Sequence, residues 1–255
     1  MASFEIVTVA THDEGTYNTL IHNPYDSDIV VLGFGKQWEG FMMKYRLVYE
    51  YIQYKSDDRI IIFLDGFDSL IHGNPQKAVD YFKEQDKKIL YSVDKVDNPL
   101  QSFIYHRVFP NKHNINSGMY IGYVKYLKLF LKKVLLSKFT SDQKATIESF
   151  HHFNFIGTDD TQMIFKNKLM QTTIQVTDDD PIFVSFPGFL NSNRIYRSFF
   201  EYSQFFMDMY IVFFSFILLL CYRFNVYSPI IIITIFYSIL FYYMDKSSFM
   251  IKESG

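Results

Sequence analysis

The chain has 255 residues, 25 basic and 27 acidic side chains, and a formal net charge of -2. That length suits one domain of about 150–200 residues with an appendage, and the near-neutral balance gives a nucleic-acid partner no electrostatic support. A single cysteine, Cys221, excludes an internal disulfide.

No Asn-x-Ser/Thr acceptor occurs, and the opening MASFEIVTVATHDEG lacks the basic start and apolar run of a secretory leader. Both absences fit a binding or catalytic part that faces the cytosol. The 28 Phe and 20 Tyr imply a core richer in aromatic rings than usual.

In chain order, FEIVTVAT over residues 4–11 and DIVVLGFG over 28–35 read as strands. A helix is predicted over 42–54, where Tyr45, Val48 and Ile52 recur at spacings of three and four. The run over 59–64, with three isoleucines, has the composition of a central parallel strand covered on both faces. PQKAVDYFKEQ suits a helix with Pro75 in its first turn and Ala78, Val79 and Phe82 on its apolar face. Strands follow over 88–94 and 119–123, a helix over 126–136, and PIFVSF over 181–186 closes the pattern. Strands alternating with helices indicate a layered α/β domain over 1–200, with ligands beyond the carboxyl ends of the strands.

The remainder differs in character. Residues 205–222 carry one charge, Asp208, and residues 226–244 carry none, with Arg223, Phe224 and Asn225 between them. At ~1.5 Å per residue each stretch reaches about 27–29 Å, close to a bilayer's hydrocarbon thickness. The expectation is a two-span transmembrane hairpin over 205–244 and a polar tail over 245–255. The alternative is an apolar hairpin packed on the domain. Arg194, Arg197, Lys246 and Lys252 outnumber Arg223, which places both termini and the preceding domain on the cytosolic side of the membrane.

IIIFLDGFDSLIHGNP drives an apolar strand into Asp65 and Asp68. Two carboxylates at a strand end can clamp a hard divalent ion and leave its other positions to water and phosphate. Phe67 between them could lie flat against a base or sugar. The plainer reading is an Asp/Gly turn after a strand. NSGMYIG precedes or begins a strand, and offers Gly118 and Gly122 for close backbone approach to a ligand, or for a turn. TDDTQ sets Asp159 and Asp160 before a helix-like run, where a helix cap is the simple role. LGFGKQWEG holds Lys36 and Trp38 in a glycine-punctuated loop, where a tryptophan ordinarily packs.

Taken together and in order, IVTVAT, LGFGKQWEG, IIIFLDGFDSLIHGNP, ILYSVD, NSGMYIG, DDTQMIF and PIFVSFPG resemble the glycosyltransferase domain of the procollagen lysyl hydroxylases and the related collagen glucosyl- and galactosyltransferases. The resemblance spans residues 4–188. It implies a GT-A fold with a mostly parallel central sheet, a UDP-sugar donor (UDP-glucose or UDP-galactose), and Mn²⁺, with Mg²⁺ as the other hard ion. It places the metal on Asp65 and Asp68 and the uracil on Phe67, where the family has tyrosine. Thr11 falls on a nucleotide-contacting position, Trp38 over the sugar, Lys44 near the diphosphate and Asn116 in the donor-side N-S-G element. Asp160, or else Asp159, falls where the sugar or acceptor is oriented. Ser185 stands where the family has a third metal ligand, a histidine. The hydroxylase half of the family has no counterpart in these residues. The expectation is a membrane-anchored transferase acting on a protein, glycan or lipid acceptor. Its competitors are a degenerate nucleotide-sugar-binding scaffold, motivated by Ser185, and a structural membrane protein that recruits partners.

Overall fold

The computed structural model describes residues 4–95, 102, 114–169 and 173–187. β1 (Phe4–Val9) and β3 (Ile60–Asp65) lie side by side and parallel, with Ile6 opposite Ile62 and Val9 opposite Asp65. β2 (Ile29–Leu32) runs parallel along the outer side of β1. β6 (Ile115–Tyr123) is antiparallel both to β3 and to β5 (Ile89–Val93), and β7 (Ile156–Thr158) pairs parallel with β5 at the far edge. The strand order is β2-β1-β3-β6-β5-β7, with β6 opposed to the rest.

The apolar run of β3 is buried on both faces. Ile60, Ile62 and Leu64 pack on one side beneath α1 (Tyr17–Ile21) and α3 (Pro75–Lys83). Ile61 and Phe63 pack on the other beneath α2 (Met42–Ile52), α4 (Val124–Val134) and α5 (Asp142–Phe150). Alternation of side chains in a strand forces this division, and two helical covers explain why the run contains no polar residue before Asp65. α3 starts as its sequence predicts: Pro75 takes the first helical position and Asn74 Oδ1 accepts from the Gln76 amide at 2.9 Å. α4 presents Val124, Leu127, Leu131 and Val134, spaced three or four apart, to the core.

A smaller sheet begins immediately after the DGFD turn. β4 (Ser69–Ile71), β9 (Phe183–Ser185) and β8 (Phe165–Asn167) are arranged β4-β9-β8. The expected strand over 181–186 is therefore the middle of this second sheet, pairing Ser185 with Ser69 and with Asn167. The mixed α/β architecture with one central sheet fits a GT-A-like domain.

Two local expectations are resolved. NSG lies inside β6: Met119 to Tyr123 pair with β3, while Asn116 and Ile115 pair with Ser92 and Val93 of β5 beyond the end of β3. No helix follows TDDTQ. The Asp159 carboxylate accepts from the amides of Met163, Ile164 and Phe165, and Gln162 adopts φ 55°, so the chain turns into β8. α1, α5, β4 and β7 had no prediction, and β8 stands where the helix-like run was expected.

The membrane localisation is overturned as well. Among the described residues no helix is long and apolar enough to cross a membrane. The stretches 205–222 and 226–244, and the tail over 245–255, lie outside the described residues.

Candidate functional site

β1, β3, β5 and β7 all point their carboxyl ends to one edge of the large sheet. Asp65 ends β3 there. The turn that follows is pressed against β1. A Cβ added to Gly66 would lie 2.8 Å from the Val9 carbonyl oxygen. A Cβ on Gly15, whose φ is +62°, would lie 2.0 Å from the Phe67 carbonyl oxygen. The Thr16 amide donates to that same oxygen at 3.0 Å, and the Thr16 hydroxyl donates to the Ser69 carbonyl at 2.9 Å. The loop after β1 thus fixes the backbone of the acidic turn, and only glycine fits at position 15.

The two carboxylates have different partners. Lys44 of α2 donates to Asp65 Oδ2 at 2.8 Å. The Ser185 hydroxyl donates to Asp68 Oδ1 at 2.8 Å, and Ser69 lies 3.4 Å from the same atom. The expected third-ligand position is therefore beside Asp68, filled by a hydroxyl rather than an imidazole. Phe67 is half-buried, and its ring lies 5.2 Å from that of His12. His12 Nδ1 is 2.9 Å from the hydroxyl of Thr11, which brings Thr11 to the same side of the turn.

Lys44 is buried, although a helical lysine ordinarily stays in solvent. It is 7% exposed, and its ammonium is also 2.7 Å from Asp142 Oδ2, at the start of α5. Burial alone would lower the Lys44 pKa, but Asp142 and Asp65 more than offset it and hold it above the ordinary lysine range. Phe41 lies under this ammonium at 5.7 Å, and Trp38 meets Phe41 edge-on at 6.0 Å. Trp38 is thereby linked to Lys44 through one ring.

Asn116 enters the site through its neighbour. Its Oδ1 accepts from the Gly118 amide at 2.7 Å and its Nδ2 donates to Asp94 Oδ1 at 3.0 Å. Gly118 lies against Asp65: a Cβ there would be 3.7 Å from the Asp65 Cβ. Asp159 and Asp160 follow β7, three strand spacings or about 14 Å along the same edge. The Asp159 carboxylate is buried on backbone amides, whereas Asp160 is exposed.

Lys44, Phe67, Asp65, Asp68, Thr11 and the Asn116–Gly118 strand therefore converge, with Trp38 at the rim and Asp160 further along. Sequence reasoning missed Asp142, His12 and Gly15. Ser141 and Asp142 carry only the signal of a helix start, and nothing local links them to Lys44. Asp65, Asp68 and the Ser185 hydroxyl form an oxygen-only donor set, which fits a hard divalent ion. Among the described residues no three His, Cys, Asp or Glu side chains gather as a cage, so phosphate and water would supply most positions.

The family described as PLOD GT domain matches residues 1–167. The chain belongs to that family. The resemblance read from the ordered motifs is thereby borne out. Among curated relatives, a procollagen-lysine,2-oxoglutarate 5-dioxygenase of Drosophila melanogaster is 33% identical over 133 residues, 47% of this chain and 18% of the relative. The human procollagen-lysine,2-oxoglutarate 5-dioxygenase 2 is 25% identical over 152 residues, 54% of this chain and 21% of the relative. A multifunctional procollagen lysine hydroxylase and glycosyltransferase of Caenorhabditis elegans is 28% identical over 143 residues, 50% of this chain and 20% of the relative. The alignments span about a fifth of each of these relatives' lengths. Ser185 lies beyond the residues matched to the PLOD GT domain.

Proposed function

We propose that this chain is a metal-dependent glycosyltransferase that moves glucose or galactose from a UDP-sugar to an acceptor. The observation that carries the reading is the Asp65–Asp68 turn at the carboxyl edge of the sheet, with the Lys44 ammonium on Asp65. A bound Mn²⁺ or Mg²⁺ would neutralise the leaving diphosphate. Asp65 and Asp68 hold that ion, and Ser185 orients the Asp68 carboxylate through its hydrogen bond. Lys44 adds fixed positive charge beside the phosphates, in a site where burial strengthens the interaction. Phe67 stacks on the uracil, and Thr11 reaches the base or its ribose. Trp38 covers the sugar, while Asn116 holds Gly118 so that the backbone can approach the donor. Asp160, the exposed member of its pair, orients the sugar or the acceptor.

Ser185 in the histidine position favours a second reading, a nucleotide-sugar-binding protein without transfer. One assay separates the two. UDP release is followed from UDP-glucose and UDP-galactose with Mn²⁺, against an Asp65→Asn control. Release above the control identifies the transferase and its donor. Mn²⁺-enhanced UDP binding without release, with peptide, glycan and lipid acceptors all present, identifies the binding protein.

A further inference from the structure

α2, β3 and α5 bring Lys44, Asp65 and Asp142 together around one ammonium. Its distances are 2.8 Å to Asp65 Oδ2 and 2.7 Å to Asp142 Oδ2, and the side chains are 9%, 16% and 9% exposed for Lys44, Asp65 and Asp142. Two carboxylates facing one ammonium leave an excess negative charge in a buried place, before Asp68 is counted. Such an arrangement is a poor way to stabilise a fold, because apolar residues of similar volume would serve as well.

The two carboxylates are not equivalent. Asp142 is anchored: it opens α5 behind the Ser141 cap, its Oδ1 accepts from the Gln143 amide at 2.8 Å, and it sits at the positive end of the helix dipole. Asp65 is the shared one. It belongs to the acidic turn, where Gly118 leaves room beside it.

Resting on the transferase reading above, we propose that Asp142 is a positioning residue: it holds the Lys44 ammonium in place when a divalent cation takes over Asp65. With Asp142 present, Lys44 can release Asp65 without leaving its seat beside the diphosphate. Without Asp142, the ammonium has Asp65 as its sole carboxylate partner among the described residues and competes with the cation for that carboxylate.

Mn²⁺ titrations of the full chain in the presence of UDP test this on a double-mutant cycle. Asp142→Asn should weaken Mn²⁺ binding about tenfold in the wild-type background and leave it unchanged in a Lys44→Gln background. An equal loss in both backgrounds, as a merely structural role would give, overturns the proposal, and so does no loss in either. Asp142→Glu retains the carboxylate and should restore wild-type Mn²⁺ affinity; a loss equal to that of Asp142→Asn would also overturn it. A second measurement needs neither metal nor nucleotide. Acylation of Lys44 by an amine-reactive reagent, read by peptide mass spectrometry, should be at least fivefold faster in Asp142→Asn than in wild type, with Lys55 and Lys128 unchanged. Equal rates would show that Asp142 does not hold the ammonium. If wild-type protein shows no Mn²⁺-dependent UDP binding, the transferase reading fails, while the acylation rates still decide whether Asp142 holds Lys44.

Discussion

Two three-charge clusters in this molecule are built with opposite arithmetic. In one, Lys44 sits between Asp65 and Asp142. In the other, Asp180 sits between Lys166 and Lys168 and also accepts from the Thr177 amide at 2.8 Å. The Asp180 side chain is fully buried, but Lys166 is 35% exposed, so part of the surplus positive charge is in water. Burial would raise the Asp180 pKa, yet hydrogen bonds from Lys166, Lys168 and the Thr177 amide hold it well below the usual carboxylate range. The second cluster is therefore complete as it stands. In the first, Lys44 and Asp142 are buried and Asp65 is 16% exposed, so the surplus negative charge meets less water than Lys166 does. The lesson is that an ion pair points to a ligand when its stoichiometry leaves a buried charge unmatched, and to architecture when water takes up the remainder.

The largest expected effect breaks the first cluster at its open side. Asp65→Asn or Asp68→Asn should abolish the Mn²⁺-dependent part of UDP binding, a loss of ~100-fold or more by calorimetry, since even outer-shell changes cost 10–100-fold. Retention of Mn²⁺-enhanced binding in either variant would remove the distinction between the clusters. The second cluster should respond in stability instead. Asp180→Asn should lower unfolding free energy by about 1.5–3 kcal/mol, the scale of hydrogen bonds to charged groups, with UDP binding unchanged.

That cluster also carries a pH signature. Because the Asp180 pKa is lower folded than unfolded, its contribution is full above the unfolded value near ~4 and is lost progressively as pH falls below it. Urea midpoints between neutral pH and acid should therefore drop less steeply in Asp180→Asn than in wild type. A parallel decline in both proteins would show that the lysines do not hold Asp180 ionised. Phe67→Ala should weaken UDP binding by about 1–3 kcal/mol if the ring stacks on the base, without moving the urea midpoint. The smallest change belongs to Asp159→Asn, which keeps one acceptor oxygen for the three amides. It should destabilise by about 1 kcal/mol and leave Mn²⁺-dependent UDP binding intact.

Much of the scaffold was legible because its signals are local. The isoleucine run of β3, Pro75 at the head of α3 and the acidic turn each declare themselves within a few residues. Lys44 carried a signal that was available and unused: it stands four residues before Val48, on the buried face of α2. The N-S-G segment left a strand start and a turn open because three small or polar residues do not alternate; pairing with β5 makes it a strand. The Lys44–Asp142 pairing had no sequence signature, since the two residues are distant in the chain and meet only when α2 and α5 pack on the same face of the sheet. Asp159 looked like a helix cap and does cap amides, but those of a turn into a strand.

Ser185 makes the acidic turn and the small sheet one thermodynamic unit. It is the last residue of β9, the middle strand, and its hydroxyl grips Asp68 while its backbone pairs with Ser69. Short strands of three residues open easily. A donor that fixes Asp68 would have to be released, at least in part, each time β4 and β9 separate. Occupancy of the proposed nucleotide site should thus be recorded as slowed amide hydrogen exchange in β9.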